Sequence, residues 1–304
     1  MAVESPRPWT APTGPPLTRT SSRAITDVRV PMGVADLDHL SGGVPVGSVV
    51  LLWGDSGSGH QEFALTSAAH LMMFHNDPAF HPFHLGPYQG PVSIPRRVLY
   101  VSTSRSRENL LQEVDAAFDA PYREVLREHL AFHDLSPSYF SDSVVPAAWS
   151  SVGGSLLGGT RTPPGGGAGP LGAIADLVEA GAEKNLVIID SLTDLVVRKT
   201  TDPEQLITLV KGLRRRAKDL GGLVYLLLTK GVAPPYLEQA LSDSVDGVLS
   251  FAWQASPRHS QRQRTMVIEK FLPVLAHLRE EQHGRFVIMV SDQSGLVTTQ
   301  YERV

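Results

Sequence analysis

The segment best suited to chemistry is Gly47–Gln61, GSVVLLWGDSGSGHQ, a glycine-rich turn between an apolar run and a helix-prone one. A buried strand that enters such a turn and leaves it as a helix aims consecutive backbone N–H groups inward. The helix N-terminus adds partial positive charge, so the turn can cradle a phosphate or a similar anion. The full phosphate-loop signature is G-x-x-x-x-G-K-[ST], in which the lysine reaches the β- and γ-phosphates and the hydroxyl ligates magnesium. Gly54 and Gly59 hold the two glycine positions and Asp55, Ser56, Gly57 and Ser58 lie between them, but His60 replaces the lysine and Gln61 the Ser/Thr. An imidazole with an ordinary pKa near ~6.5 is mostly neutral at pH 7 and shorter than lysine. Glutamine offers a carbonyl oxygen on a longer arm. The cradle is kept and its two charge-handling side chains are not. Taken alone, the glycine pattern fits a tight strand-to-helix turn at least as well as a phosphate site.

Other groupings carry less. His75, Asp77, His81 and His84 fall within ten residues, and imidazole and carboxylate suit zinc, but the spacing matches no defined metal module. The basic run Lys211–Lys218, KGLRRRAK, lies on a predicted helix whose apolar face is Leu209, Leu213, Ala217 and Leu220. That leaves Arg214, Arg215 and Lys218 on a solvated face more readily than on a nucleic-acid surface. A second cluster, Arg258, His259, Arg262 and Arg264, has no interleaved aromatic residues on which bases could stack. A serine hydrolase is excluded by the absence of a G-x-S-x-G elbow: Gly54-Asp55-Ser56-Gly57 and Gly57-Ser58-Gly59 both miss the spacing.

Elements that would position the loop can be read from periodicity. Ser48–Trp53, Val98–Ser102, Leu186–Asp190, Leu223–Thr229 and Val245–Phe251 are uniformly apolar, the pattern of strands covered on both faces. Helical stretches are expected at Gln61–Phe74, Arg107–Phe118, Pro203–Leu220 and Pro234–Leu241. Strand and helix in alternation predict an α/β fold with a mostly parallel central sheet flanked by helices. Beyond Phe251 only strands are expected, at Gln263–Phe271, Arg285–Val290 and Leu296–Tyr301, as an antiparallel C-terminal extension. Residues 1–28, rich in Pro, Ser and Thr, read as a disordered leader. Residues 29–304 read as one domain with flexible insertions near 76–96 and 153–170.

The chain has 304 residues, with 27 Lys and Arg against 31 Asp and Glu, a formal charge of −4. That balance gives no electrostatic case for nucleic acid or an anionic membrane. Cysteine is absent, which removes disulfides, thiolate metal sites and a cysteine nucleophile together. No apolar run approaches the roughly 20 residues of a membrane span, and the N-terminal stretch has no signal-peptide apolar region. A cytoplasmic protein without membrane attachment is expected.

Further motifs surround the loop. Pro31–Gly47, PMGVADLDHLSGGVPVG, stands directly upstream; Asn185–Leu195 reads NLVIIDSLTDL; Val245–Ser250, VDGVLS, is followed by Arg264–Lys270, RTMVIEK. In this order they resemble RecA-superfamily ATPases of the KaiC and RadA type. Those proteins open with P-x-G-x-x-x-L-D-x-L-x-G-G-x-P-x-G-S before the phosphate loop, and the likeness covers roughly residues 29–304. Within the superfamily the sequence is most similar to archaeal RecA-like proteins labelled HTR-like, which carry a lysine-free phosphate loop and end in a comparable EKF…RF…G arrangement. The resemblance implies a RecA-like P-loop fold, with Asp190 as the magnesium-organising carboxylate of the Walker B strand. Purely structural work by Asp190, capping a turn or bracing the loop, is as open a role. It also implies ATP or another nucleotide at the loop, bound weakly if at all, with magnesium in doubt.

Departures from the family pattern bear on catalysis. Val101–Arg107, VSTSRSR, puts Ser104 and Arg105 where KaiC-like ATPases place the glutamates that polarise water. The hairpin signature K-x-R-G becomes Lys270-Phe271-Leu272-Pro273. With His60 and Gln61, these changes imply a catalytically degenerate pseudo-ATPase that serves as a regulatory or scaffolding subunit. Lys270 and Arg264 are the expected inter-subunit contacts, toward a second copy or an active RecA-like paralogue. The alternatives are an ATPase completed by cations from a partner subunit, and a DNA-associated RecA paralogue in recombination or repair.

Overall fold

A computed structural model describes residues 28–77, 90–140, 143–146, 169–255, 262–271, 284–291, 293 and 295–303. The leader apart from Val28, most of both insertions, His81, His84, Arg258, His259, Leu272 and Pro273 lie outside these residues.

The chain runs β1 (Arg29–Val30), α1 (Ala35–Ser41), β2 (Val44–Pro45), β3 (Ser48–Gly54), α2 (His60–Asn76), β4 (Val98–Ser102), α3 (Arg107–Ala117) and α4 (Ala120–His129). It continues β5 (Leu130–Asp134), α5 (Ser136–Phe140), α6 (Gly169–Gly181), β6 (Leu186–Asp190), α7 (Leu192–Val197), α8 (Pro203–Leu220), β7 (Leu223–Thr229) and α9 (Pro235–Ser244). Four strands close it: β8 (Gly247–Ala255), β9 (Arg262–Phe271), β10 (Gly284–Ser291) and β11 (Gly295–Arg303). Nine strands form one sheet in the order β11-β10-β9-β8-β3-β7-β6-β4-β5. The six from β8 to β5 are parallel, and β9, β10 and β11 extend the sheet antiparallel beyond β8. The predicted mostly parallel α/β sheet with its C-terminal antiparallel extension is what forms.

The apolar strands are apolar because each face has its own core. Val50, Leu52, Tyr100, Ile188, Tyr225 and Leu227 face a cluster that holds Phe63, Leu71 and Met72 of α2 with Val125 and Leu126 of α4. Their sequence neighbours Val49, Leu51, Val101, Ile189, Leu226 and Leu228 face Ile174 of α6, Val210 and Leu213 of α8 and Leu237 and Leu241 of α9. Alternation between faces is the strand's period of two, and helices on both sides remove the polar half of the pattern. Local signals set the helix ends. Asp202 caps α8 by accepting from Glu204 N–H at 3.0 Å, Pro203 begins it, and Gly221 ends it in the left-handed region. Ser106 caps α3 through Asn109 N–H at 3.2 Å.

The Pro31–Gly47 segment anchors α2 from the side. Asp38 is fully buried, and its carboxylate accepts the N–H groups of Met32 at 2.6 Å and Gly33 at 2.7 Å. Gly33 O in turn meets His70 Nδ1 on α2. Burial raises the Asp38 carboxyl to about 7, against the pull of those amide donors.

Several boundaries differ from expectation. β8 starts at Gly247 rather than Val245 and runs on to Ala255, because pairing with β9 carries it past the buried run. α4 and β5 escape the sequence pattern: β5 is an edge strand of half-buried residues, and α4 buries only Val125 and Leu126. Gly169 and Pro170, assigned to the glycine-rich insertion, already belong to α6.

Candidate functional site

β3 delivers the chain into the loop at the middle of the sheet, with β7 and β8 paired on either side. Lys230 N–H donates to Gly54 O at 2.9 Å and Asp55 N–H to Phe251 O at 3.1 Å, which fixes the loop's first residues. The turn then closes on itself, since Ser58 donates to Asp55 O from both its N–H, at 3.0 Å, and its Oγ, at 2.7 Å. One flank is stitched to β8 and β9. Trp253 donates its N–H to Asp55 Oδ2 and its indole Nε1–H to Ser56 O, both at 3.1 Å. Arg264 Nε donates to Gly57 O at 3.0 Å, and its guanidinium lies 4.6 Å from the Trp253 ring centroid. Gly59, at φ 114°, begins α2 in a conformation side-chain-bearing residues avoid, and a Cβ there would come within 3.1 Å of Ile288 and 3.3 Å of Leu296. The C-terminal strands therefore pack directly against the loop. The N–H groups of Gly59, His60 and Gln61 meet no carbonyl acceptor among the described residues. This is the geometry an anion needs at a helix start.

The side chains tell a different story. His60 folds back over the loop's first glycine: a methyl on Gly54 would sit 2.6 Å from His60 Nδ1. That nitrogen is buried with no hydrogen-bond partner, and burial lowers the imidazole pKa below its ordinary 6.5. His60 is neutral at pH 7 and gives the loop no positive charge. Gln61 is turned toward α3, where its Nε2 donates to Glu113 Oε2 at 2.8 Å. Its carbonyl oxygen accepts from Arg105 Nη2 at 2.7 Å.

Asp190 ends β6 beside Ser102 of β4 and is 7 % exposed. Tyr100 OH donates to its Oδ2 at 2.6 Å, and Arg105 Nε pairs with the same oxygen at 3.6 Å. Burial raises the Asp190 carboxyl above its ordinary range; Arg105 and the Tyr100 hydroxyl pull against it. Arg105 also donates to Glu113 Oε2 at 2.8 Å. The structure thus gathers Gln61, Asp190, Arg105 and Glu113 at one point, and Tyr100 braces Asp190 from below. Ser104 does something else: it donates to Asp194 Oδ2 at 2.9 Å, an oxygen that Thr103 Oγ1 also reaches at 2.5 Å. Sequence spacing singled out neither Glu113, Tyr100, Asp194 nor Trp253, because their roles come from strand register and helix docking.

Lys270 binds within its own chain, with Nζ on the carbonyls of Ser242 at 2.9 Å and Asp243 at 2.8 Å, at the end of α9. The basic residues of α8 are partly paired: Arg214 and Lys218 with Asp246, and Arg216 with Glu179. No group of three or more metal-ligating side chains is present among the described residues.

Two solved structures match 90 % of this chain and 99 % of their own lengths. One is a KaiC-like protein of Pyrococcus horikoshii, at 18 % identity and a TM-score of 0.55. The other is the flagellar accessory protein FlaH of Methanocaldococcus jannaschii, at 14 % identity and 0.59. The chain has the RecA/KaiC-like fold. No protein-family model matches the sequence, and no curated protein sequence matches it. Gly54–Gln61 is the turn that carries β3 into α2, and Asp190 is the carboxylate at the end of β6. A nucleotide's phosphates fit the free amides of the loop. A divalent cation here would compete with Arg105, which donates to the Gln61 carbonyl oxygen and pairs with Asp190 Oδ2. No helix among the described residues is long and apolar enough to cross a membrane.

Proposed function

We propose that this chain is a non-hydrolysing RecA/KaiC-like subunit, a cytoplasmic pseudo-ATPase that regulates or scaffolds an assembly of RecA-like domains. One observation carries the reading: an arginine, Arg105, stands between Gln61 and Asp190, where a hydrolase of this fold needs metal and a carboxylate to orient water. His60 supplies no charge to compensate. Glu113 is engaged there by Gln61 and Arg105, and Asp194 by Thr103 and Ser104. A nucleotide would be held weakly, through backbone amides and without a lysine.

The scaffold role rests on the way RecA-like domains join, loop of one subunit against hairpin of the next, a heterologous contact that closes into rings or runs into filaments. Lys270 and Arg264 lie on β9 of that hairpin, and the partner is a second copy or an active paralogue. A DNA-binding role has less support, since Arg214 and Lys218 pair with Asp246 and Arg216 with Glu179.

The test is phosphate release from ATP by the purified chain, alone and mixed with a RecA-like paralogue. Background rates are expected. Turnover at ~1 s⁻¹, the low end of ordinary enzymes, abolished by Asp190→Ala, would overturn the reading. Sedimentation of the same samples addresses assembly: Lys270→Glu should weaken a complex seen with wild type, and a strict monomer in every mixture removes the scaffold role.

A further inference from the structure

Three elements converge on one guanidinium beside the phosphate loop. Arg105, in the turn after β4, donates to Gln61 Oε1 at the start of α2 and to Glu113 Oε2 on α3, and it pairs with Asp190 Oδ2 at the end of β6. Gln61 Nε2 donates to the same Glu113 oxygen, so the three side chains form a closed triangle. In phosphate-loop enzymes the divalent cation is held by the hydroxyl that ends the loop and by the aspartate of the Walker B strand. The corresponding positions here are Gln61 and Asp190, and Arg105 touches both.

We infer that Arg105 is the resident cation of this site in place of a divalent metal, and that the site is closed to Mg²⁺. This deepens the reading of a non-hydrolysing subunit and rests on it. Asp190 is nearly buried, and a carboxylate there needs a positive partner. The guanidinium is charged at every working pH and presents several donors in a fixed plane, so one side chain serves Asp190, Gln61 and Glu113 together. Mg²⁺ requires near-octahedral oxygen ligation and gives up its water reluctantly. To bind through Asp190 Oδ2 it would have to displace Tyr100 and Arg105, and at either carboxylate oxygen it would sit beside a guanidinium still tethered to Glu113. Arg105 is the residue that decides metal specificity, through the oxygens it holds.

The experiment uses the full chain without nucleotide and follows free Mn²⁺ by electron paramagnetic resonance, with Mg²⁺ as competitor. Wild type should show no saturable Mn²⁺ site in the millimolar range, and the same melting temperature in Mg²⁺ and in EDTA. Arg105→Ala should gain a saturable site that Mg²⁺ displaces and that the further change Asp190→Asn removes. If Arg105→Ala does not fold, Arg105→Gln serves, since it removes the charge and keeps a donor for Glu113. Arg105→Lys should stay closed. Saturable Mn²⁺ binding by wild type that Asp190→Asn abolishes overturns the inference. So does a folded Arg105→Ala or Arg105→Gln that still takes no metal. A wild type that binds Mn²⁺ and releases no phosphate refutes this inference alone. One that binds no metal and yet hydrolyses ATP refutes the functional reading instead.

Discussion

Tyr100→Phe removes one hydroxyl and tests how Asp190 is kept in place. The hydroxyl donates at 2.6 Å to a carboxylate 7 % exposed, and Tyr100 is itself fully buried, so no solvent replaces the bond. Hydrogen bonds to charged groups contribute ~1.5–3 kcal/mol, which sets the expected loss at about 2 kcal/mol in urea unfolding at pH 8. The loss should depend on pH. Burial already raises the Asp190 pKa above its ordinary 3.8, and the Tyr100 bond counters part of that rise. Without the hydroxyl the folded-state pKa rises further. Because a raised folded-state pKa contributes stability at low pH that is lost as pH climbs through it, the variant loses ground to wild type with rising pH. The deficit should shrink toward acid pH, since a protonated Asp190 needs the donor less. Tyr225→Phe is the control: its hydroxyl shares a neutral bond of 2.9 Å with Ser67, and its penalty should be smaller and flat with pH. A Tyr100→Phe deficit under ~0.5 kcal/mol at pH 8, or one that stays constant as the pH is lowered, would refute a carboxylate held in ionised form by this bond.

Asp38→Asn probes the other buried carboxylate. With Asp38 raised from 3.8 to about 7, folding takes up a proton across that window, so this group's contribution to stability falls as pH rises. Roughly three units at ~1.4 kcal/mol each bound the effect near ~4 kcal/mol; the stability difference between variant and wild type should move in the variant's favour from pH 4 to 7.5, and a constant difference would contradict it. Gly295→Ala would put a Cβ 2.3 Å from Thr66 Oγ1 and 2.5 Å from the Phe118 ring at φ +71°. Left-handed strain of ~1–2 kcal/mol and overpacking of ~1–3 kcal/mol predict about 2–5 kcal/mol lost in chemical unfolding, with the β10–β11 hairpin exchanging its amides faster; an unchanged midpoint would show that the hairpin does not pack on α2 as described. The double change His60→Lys with Gln61→Thr restores the lysine and the hydroxyl, and calorimetry should show ATP binding at least ~10-fold tighter, about 1.4 kcal/mol. No gain would mean that the Trp253 and Arg264 contacts block the loop.

Uniformly apolar runs and helical periodicity were enough to place the central parallel strands and helices α2, α3, α8 and α9. Those signals are local, and burial on both faces writes them into runs such as Leu186–Asp190. The glycine-rich turn, with His60 and Gln61 after Gly59 and with Ser104 and Arg105 beyond β4, was likewise legible, because these are residue types at fixed spacings. Edge strand β5 and helix α4 were not, since half-buried residues carry no clean period. Nor could spacing show that Arg105 would bridge Gln61 and Asp190, or that Arg264 would turn back to Gly57. Those contacts join residues 44, 85 and 207 positions apart, and they exist only because strand order sets β6 beside β4, α3 beside α2 and β9 next to β8. A long-range meeting of charges is decided by sheet register and helix docking, which depend on the packing of the whole core.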